Sequence, residues 1–249
     1  MQHIHDQLTS GIRDYFKKSN VQKAVIGLSG GIDSSLTLKL AVDALGAENI
    51  TGLLMPETGL TAEQNIFHAK ALAEFFGVKI FTVPINKFLI DFNLLPWKPS
   101  PRAQMNTKSR IRMLLLYHYA NTFNCLVLGT SNKSEVMLGY GTKYGDFAAD
   151  IEVIADLYKE DVWNLSKFLE LPDEIISKKP TAELMPGQTD EDELGANYHE
   201  LDQILKKYEM GVEGLLDRGM HPGLIHGVIR RIEENKHKTL PPHVIKIQK

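Results

Sequence analysis

The stretch AVIGLSGGIDSSLTLKLAVDAL, residues 24–45, predicts a short strand, a glycine-rich turn and a helix in immediate succession. The turn, residues 27–34, fits two incompatible functions. Gly27-Leu28-Ser29-Gly30-Gly31 matches the G-x-S-x-G pattern, in which a nucleophilic serine lies on a strand-to-helix turn. The same glycines would also let the backbone approach a phosphate closely. The rest of the chain has to decide between a hydrolase and a phosphate-binding protein.

The composition narrows the class of protein and of ligand. The 249 residues are 43% hydrophobic and carry 31 acidic against 28 basic side chains, a net charge of -3. This balance argues against a nucleic-acid or membrane partner and favours a small-molecule ligand. The single cysteine, Cys125, excludes an internal disulfide and fits a reducing compartment. Without a run of about 18 apolar residues or a leader-like segment, we expect a cytoplasmic protein with one domain over residues 1–249.

Alternating strand and helix signals predict an α/β fold. KAVIGLS, NITGLLMP, VKIFTVP and NCLVLGT are short apolar runs, and a helix-length segment separates each run from the next. The spacing predicts helices over residues 33–45, 61–76 and 101–123, with Gly46 and Gly77 closing the first two. An earlier helix is predicted from Ile4, Leu8, Ile12 and Phe16. We therefore expect a Rossmann-like parallel sheet of about five strands with helices on both faces.

The strand signal fades after Thr130, and the remaining residues predict a helical C-terminal part. Residues 131–158 are expected to be rich in loops, followed by a helix over residues 159–169. The polar stretch SKKPTAELMPGQTDEDELGA is expected to be a loop, with a helix start that Thr189 caps and Asp192 completes. Further helix is expected from Asn197 onward.

The position of the glycine turn favours phosphate binding over nucleophilic catalysis. A hydrolase turn normally follows several strands, whereas only one helix precedes Ser29, and no histidine stands out as its base. Glycine amides, serine hydroxyls and a helix N-terminus together suit a pyrophosphate group. Asp33 would repel that group unless a divalent cation lies between them, so it predicts Mg²⁺. Its alternative role is an ordinary helix N-cap.

The motif S-G-G-x-D-S in this turn resembles the signature of the ATP pyrophosphatases, which split ATP between the α and β phosphates. Four further segments are similar to those of NAD⁺ synthetases. They are NTKSRIRM from Asn106, GTSNKSE with TKYGD, KKPTAELMPGQTDEDELG, and HKTLPP. All of them occur in the order of that family. The resemblance implies an adenine nucleotide alpha hydrolase-like sheet, and a ligase that amidates nicotinic acid adenine dinucleotide (deamido-NAD⁺) to NAD⁺ with ATP.

The resemblance also implies the roles of individual residues. It implies ATP binding by Gly27, Leu28, Ser29, Gly30, Gly31, Ile32, Asp33, Ser34, Thr130, Lys159 and Thr181. It implies a dinucleotide site formed by Arg110, Lys143, Asp150, His237 and Lys238, and Mg²⁺ ligation by Asp33 and Glu135. Phe147 stands where the family commonly has glycine, and Val136 where it often has asparagine. Phe147 adds bulk near the expected nicotinate end of the site.

The resemblance to NAD⁺ synthetases also bears on the nitrogen donor and on the partners of the protein. A glutaminase domain needs a cysteine nucleophile and well over about 100 residues, so we expect free ammonia as the donor. The family resemblance implies a homodimer. Two alternatives remain open at this level: a tRNA-modifying ATP pyrophosphatase, which should carry a basic RNA-binding face, and a nucleotide-binding subunit without catalysis.

Overall fold

One parallel sheet of five strands organises the chain, in the order β3-β2-β1-β4-β5. The computed structural model describes residues 1–185 and 187–247. The strands are β1 (Lys23–Gly27), β2 (Ile50–Leu54), β3 (Lys79–Thr82), β4 (Cys125–Gly129) and β5 (Ile151–Glu152). Val25 in the central strand pairs with Thr51 on one side and with Val127 on the other. The predicted fold class is confirmed.

The helices cover both faces of the sheet and form the C-terminal part. They are α1 (Gln2–Ser19), α2 (Ile32–Leu45), α3 (Glu63–Phe75), α4 (Asn86–Leu89), α5 (Pro101–Phe123), α6 (Lys133–Leu138), α7 (Lys159–Phe168), α8 (Asp173–Ile176), α9 (Asp190–Leu194), α10 (Tyr198–Leu205), α11 (Gly211–Leu216) and α12 (Pro222–Asn235). None of the helices in the described ranges is long and apolar enough to cross a membrane.

Alternation along β1 explains why both faces of the sheet are covered. Ala24 and Ile26 point into a core formed with α1, α2, α3 and α7, whereas Val25 points into a second core formed with α5. All three side chains are fully buried. A strand that is apolar on both faces requires helices on both sides, since burying a side chain of the size of Val25 or Ile26 stabilises the fold by about 1.5–3 kcal/mol.

A third apolar cluster holds the C-terminal helices together. Leu138 from α6, Leu201 from α10, Leu215 from α11 and Ile225 from α12 are buried in it. The amphipathic spacing of these helices thus produces a third core, in addition to the two that cover the faces of the sheet. Helix α6 directly follows β4, and α10 and α12 pack against it.

Most predicted element boundaries agree with the structure, and the region after Thr130 needs a correction. The predicted loop over residues 131–158 contains helix α6 and strand β5. With two residues, β5 is too short to produce an alternating pattern, so its hydrogen bonds to β4 alone define it. Cys125 opens β4 and is partly buried.

The glycine turn between β1 and α2 depends on a backbone conformation that only Gly30 allows at low cost. Gly30 has φ +78°, and a Cβ atom there would lie 2.3 Å from the carbonyl oxygen of Asn65 in α3. The turn and the start of α3 therefore pack backbone against backbone. A side chain at this position has to displace one of them.

We predict that Gly30→Ala destabilises the protein more than Gly77→Ala. Both glycines have positive φ, but a Cβ at Gly77 meets no atom within 4 Å. Gly77→Ala should cost about 1–2 kcal/mol from the left-handed conformation alone. Gly30→Ala should cost a further 1–3 kcal/mol or so from the clash. Urea unfolding of the two variants measures the difference, and equal losses would contradict the close packing against Asn65.

Candidate functional site

A cavity of about 1190 Å³ opens at the carboxyl ends of β1 and β4. Strands β2 and β4 lie on opposite sides of β1, so the strand order reverses between β1 and β4, where α/β folds bind ligands. Basic side chains on its wall suit an anionic ligand: Arg102, Arg112, Lys159, Lys178, Lys179, Arg230, Arg231 and Lys238. The volume exceeds that of most drug-sized pockets.

The glycine turn forms the inner wall of this cavity. The Ser29 hydroxyl lies 3.1 Å from that of Ser34 and accepts the Gly31 amide at 3.1 Å. Helix α2 begins at Ile32 after Gly31, and no side chain in the described ranges caps it. Its first amides therefore remain available for an anion, as phosphate-binding turns require.

The hydrolase interpretation of this turn finds no support in its hydrogen bonds. Ser29 Oγ contacts Ser34 and the Gly31 amide, and no histidine in the described part of the chain is within hydrogen-bonding distance of it. A serine nucleophile needs an adjacent base to remove its proton. The serines instead brace the turn: Ser34 and Ser35 both donate to the Gly31 carbonyl, at 3.1 and 2.8 Å.

A buried lysine joins two carboxylates beside the turn. The Lys159 side chain is 1% exposed, and its Nζ donates to Asp33 Oδ2 at 2.5 Å and lies 3.7 Å from Glu135 Oε1. The second Asp33 oxygen accepts from Asn132 Nδ2 at 2.9 Å. Asp33 belongs to the first turn of α2 but does not cap it, since Gly31 is the N-cap. The N-cap alternative for Asp33 is therefore wrong.

The charges of this cluster are strongly coupled. Burial raises the pKa of Glu135 well above its usual range, and Asp33 raises it further while Lys159 opposes both. Burial alone would lower the pKa of Lys159, but Asp33 and Glu135 outweigh it and raise that pKa. Lys159 therefore stays charged. Burial also raises the pKa of Asp190, 4% exposed, whose carboxylate accepts from Tyr140 and Tyr198.

The carboxylates of the cluster could bind a divalent cation only if oxygens of a bound ligand or water completed its coordination shell. Asp33 Oδ2 and Glu135 Oε1 lie 2.5 and 3.7 Å from the Lys159 Nζ, and the charge of Asp190 also acts on that ammonium. No group of three or more metal-ligating side chains with suitable geometry occurs in residues 1–185 and 187–247. Mg²⁺ typically uses one or two carboxylates and completes its shell with phosphate and water oxygens. Asp33 and Glu135 fit that arrangement.

The loop that follows α8 closes one side of the cavity. Lys178 Nζ donates to Asn65 Oδ1 at 2.5 Å, and Asn65 Nδ2 donates to the Glu183 carboxylate. From α5, Lys108 donates to the Leu184 carbonyl at 2.9 Å. Thr181 donates to the Gln188 carbonyl at 2.7 Å and faces the cavity. The loop is thus attached to α3 and α5.

Thr189 caps the helix that follows this loop. Its hydroxyl accepts the Asp192 amide at 3.2 Å, which confirms the predicted helix start at Thr189. The Asp192 carboxylate accepts from the Thr189 hydroxyl at 2.5 Å and not from the Thr189 amide, so the predicted completion of the cap by Asp192 is wrong. The cap fixes where α9 begins, and with it the position of Asp190 next to the lysine cluster.

The predicted site residues fall into two groups by location. Those that line the cavity are Gly27, Leu28, Ser29, Gly31, Ile32, Asp33, Ser34, Thr130, Glu135, Lys159, Thr181 and Lys238. Gly30 lies within the same turn. Arg110, Lys143, Asp150 and His237 are not among the cavity residues. The structure therefore brings the expected ATP and metal residues together, with only one of the expected dinucleotide residues beside them.

The outlying residues make contacts that link distant parts of the chain. Arg110 donates to the Lys143 carbonyl, and Lys143 Nζ donates to the His237 carbonyl at 2.7 Å. Asp150 accepts the Val127 amide at 2.7 Å and the Tyr117 hydroxyl at 3.4 Å. Roles in substrate binding remain predictions for these residues.

Two polar residues of the site, Asn132 and Asp190, were not identified from the sequence, whereas Arg112, in the segment NTKSRIRM, was expected to be functional. Asn132 caps α6 in a reciprocal capping box with Glu135, and the N-x-x-E spacing of that box was visible. Arg112 is partly buried and donates to the Met55 carbonyl at 3.0 Å, and desolvation lowers its pKa. Asp190 lies in the predicted loop, where nothing local distinguishes it from its acidic neighbours. The ring of Phe147 packs against Gly141, which lies on the cavity wall.

The fold and the site together define a doubly wound α/β protein with an anion-accepting cavity at its switch point. A sequence model of the family described as NAD synthase matches residues 4–242. The chain belongs to this family. It is 45% identical over 239 residues to the NH(3)-dependent NAD(+) synthetase of Methanosarcina acetivorans, covering 94% of this chain and 93% of the relative.

Solved structures agree with this family assignment. The NH3-dependent NAD synthetase of Campylobacter jejuni superimposes with a TM-score of 0.84 at 34% identity, covering 98% of both chains. The NMN synthetase of Francisella tularensis superimposes with a TM-score of 0.86 at 30% identity, covering 99% of this chain and 98% of that one.

Glu152 ends β5, and hydrogen bonds only partly replace the hydration that its carboxyl group loses on folding. Its side chain packs over Gly129, and its Oε2 atom is buried with no hydrogen-bond partner in the described part of the chain. Burial raises the pKa of Glu152 to about 7. The folded state thus binds a proton that the unfolded chain releases near pH 4.5 or so.

We predict that this carboxyl group makes the protein less stable as pH rises towards 8. A raised folded-state pKa contributes stability below the unfolded value, and that stability is lost as pH rises through about 7. Glu152→Gln should therefore flatten the pH dependence and increase the free energy of unfolding above about pH 7, by roughly 2–3 kcal/mol at most.

Urea unfolding at about pH 5.5 and pH 8 measures this difference. Glu74→Gln, at an exposed position on α3, serves as the matched control and should keep the wild-type dependence. Identical pH dependences for Glu152→Gln and wild type would show that Glu152 does not titrate in this range.

Proposed function

We propose that this chain is an ammonia-dependent NAD⁺ synthetase, a ligase that amidates deamido-NAD⁺ to NAD⁺ with ATP in the last step of NAD⁺ biosynthesis. The observation that carries the proposal is the cluster of Lys159, Asp33 and Glu135 beside an uncapped helix N-terminus. Family membership supports the same reaction. A nucleotide-binding subunit without catalysis would not need a buried lysine among carboxylates at this position.

The first half of the reaction activates the substrate carboxylate. Its oxygen attacks the α phosphorus of ATP, the bond to the bridging oxygen breaks, and pyrophosphate leaves with that electron pair. Negative charge grows on the leaving group, and the amides at the start of α2 and the Lys159 ammonium stabilise it. No side-chain nucleophile is required. The product is an NAD-adenylate.

The second half of the reaction replaces AMP by nitrogen. Ammonia attacks the acyl carbon of the adenylate, AMP leaves with its oxygen, and one proton is released from nitrogen. The protein contributes mainly by holding two large anionic ligands in a reactive geometry and excluding water. The basic wall of the cavity, with Arg112, Lys178 and Lys238, supports binding of such ligands.

A magnesium ion belongs to this proposal. Asp33 and Glu135 would hold it together with ATP phosphate oxygens, and it would neutralise charge on the phosphates. In this structure the Lys159 ammonium forms the ion pair with Asp33. The two carboxylates carry at most two negative charges against three positive charges on the two cations, so the ATP phosphates would balance the rest.

The choice of nitrogen donor, location and acid substrate is part of the same proposal. We expect free ammonia as donor and a cytoplasmic enzyme of one domain, in line with the NH(3)-dependent relatives. The similar structure from Francisella tularensis is that of an NMN synthetase, so the assay has to compare the dinucleotide acid with nicotinic acid mononucleotide.

A homodimer is proposed from an exposed apolar surface on α5 and the edge strand β3. Leu114 and Phe123 are 59% and 51% exposed, and Phe81 is 39% exposed. The ring of Tyr119 lies 4.4 Å from that of Phe123 and 5.9 Å from that of Phe81. Contiguous aromatic surface of this kind typically marks a protein interface. A second copy of the chain is the proposed occupant.

We predict that purified protein with Mg-ATP, deamido-NAD⁺ and ammonium forms NAD⁺, AMP and pyrophosphate in equal amounts. Glutamine in place of ammonium should give no NAD⁺, and the mononucleotide acid should be the poorer substrate. Chromatographic quantification of all three products tests this. If no amide forms from either acid, the proposed reaction is wrong.

The variant Asp33→Asn tests the role of the cluster in the same assay. It removes one charge from the Lys159 pair and from the proposed Mg²⁺ site, so we expect kcat to fall by about 10³-fold or more. Asp156→Asn removes an exposed carboxylate that pairs with Lys133 on the surface and serves as the control. Equal activity of the two variants would rule out catalysis by the cluster.

We predict that Phe123→Glu shifts the protein from dimer to monomer. Burying a charge in an apolar interface without a partner opposes association. Phe75→Glu, at an 82% exposed position on α3 across the sheet, should leave the oligomeric state unchanged. Sedimentation equilibrium distinguishes the states. A monomeric wild type would contradict the dimer proposal.

A further inference from the structure

A buried hydrogen-bond network connects helix α10 with the lysine cluster. Asp202 is 0% exposed and lies outside the cavity wall. Its Oδ1 accepts from Ser134 Oγ at 2.5 Å, and its Oδ2 accepts from the Glu160 amide at 2.9 Å. Ser134 Oγ in turn accepts the Lys159 amide at 3.0 Å. The Asp202 carboxylate thus contacts α6 at Ser134 and α7 at Glu160, and through Ser134 it also acts on the Lys159 amide.

The network satisfies amides that α7 cannot satisfy itself. The first amides of a helix have no intrahelical acceptor, and α7 begins with Lys159 and Glu160. A carboxylate at this end of a helix is also favoured by the helix dipole. Asp202 and Ser134 therefore act as a cap that other parts of the chain provide, 42 residues from Glu160 and 25 residues from Lys159, respectively.

The residues that this cap holds are the direct neighbours of the charged residues of the lysine cluster. Ser134 directly precedes Glu135, and Glu160 directly follows Lys159. Fixing these two backbones fixes where the Glu135 carboxylate and the Lys159 ammonium lie relative to Asp33. A purely structural cap would not need to hold both members of the charged pair.

We propose that Asp202 is a positioning residue for the adenylating step, which holds Lys159 and Glu135 in register with Asp33 through Ser134 and the Glu160 amide. The proposal rests on the proposed function of the site. Asp202 touches neither ATP nor the acid substrate. It acts through the backbone on which the charged side chains are carried.

A carboxylate at position 202 suits this network. Both oxygens of Asp202 accept, one from a hydroxyl and one from an amide. An asparagine whose Nδ2 faced the Glu160 amide would set two donors against each other. With Nδ2 towards Ser134 the hydrogen bond would reverse, so Ser134 Oγ would accept from both position 202 and Lys159 and its own proton would lose the Asp202 acceptor.

The test is a double-mutant cycle on ATP affinity and turnover. Asp202→Asn should weaken Mg-ATP binding and lower kcat/KM for ATP by about tenfold or more. In a Lys159→Met background, which removes the positioned charge, the same substitution should change Mg-ATP affinity by less than about twofold. Isothermal titration calorimetry measures affinity even in inactive variants. Full additivity of the two substitutions would overturn the positioning role.

Two further variants separate positioning from general destabilisation. Ser134→Ala should reproduce the Asp202→Asn effect, and the two should not add, which keeps the test valid if Asp202→Asn fails to fold. Leu215→Ala removes a fully buried side chain from the C-terminal core without contacting the network. It should lower the melting temperature without changing kcat/KM well below that temperature. A matching loss of kcat/KM in Leu215→Ala would overturn the proposal.

Failure of the proposed function would be recognised separately. If wild-type protein forms no NAD⁺ while the affinity cycle shows coupling between Asp202 and Lys159, the reaction is wrong and the positioning role stands. If wild type forms NAD⁺ and Asp202→Asn matches it in kcat/KM for ATP, only the positioning role is wrong.

Discussion

The ion pair between the Lys159 ammonium and Asp33, with Glu135 beside it, is the interaction on which the rest of the site depends. A lysine that is 1% exposed loses nearly all of its hydration, a cost of several kcal/mol that only close carboxylates offset. Those carboxylates come from α2 and α6, while the lysine begins α7. The first turns of three helices must therefore meet at the carboxyl edge of the sheet, and breaking the pair would leave an uncompensated charge.

The parallel sheet makes that meeting possible. The helices that follow β1, β4 and β5 all start at the carboxyl edge of the sheet, so residues at their first turns are brought together although they are far apart in sequence. Apolar burial on both faces of β1 provides the stabilisation, and the polar ends of the helices provide the chemistry. The C-terminal helices then enclose the lysine cluster with Tyr198 and Asp202.

The features that were predicted from the sequence are those that depend on residues close together in the chain. The glycine turn, the four longer strands and the cap at Thr189 all arise from residues a few positions apart, and each is confirmed. Strand β5 was missed because two residues cannot show a period. Asp202 was missed because its partners lie 42 and 68 residues away, and an aspartate on an amphipathic helix is typical of an exposed surface. The pairing of Lys159 with Asp33 is likewise a property of the fold rather than of any local pattern.

The separation of 126 residues between Asp33 and Lys159 affects how the protein folds. Contacts between residues so far apart form late, because the chain must first lose the entropy of closing a long loop. During synthesis, β1, α2 and β2 emerge well before the lysine does, so Asp33 stays hydrated until α7 can dock. The charges of the cluster can therefore meet only after residue 159 has been synthesised, and until then no Lys159 ammonium is present to compensate a buried Asp33 carboxylate.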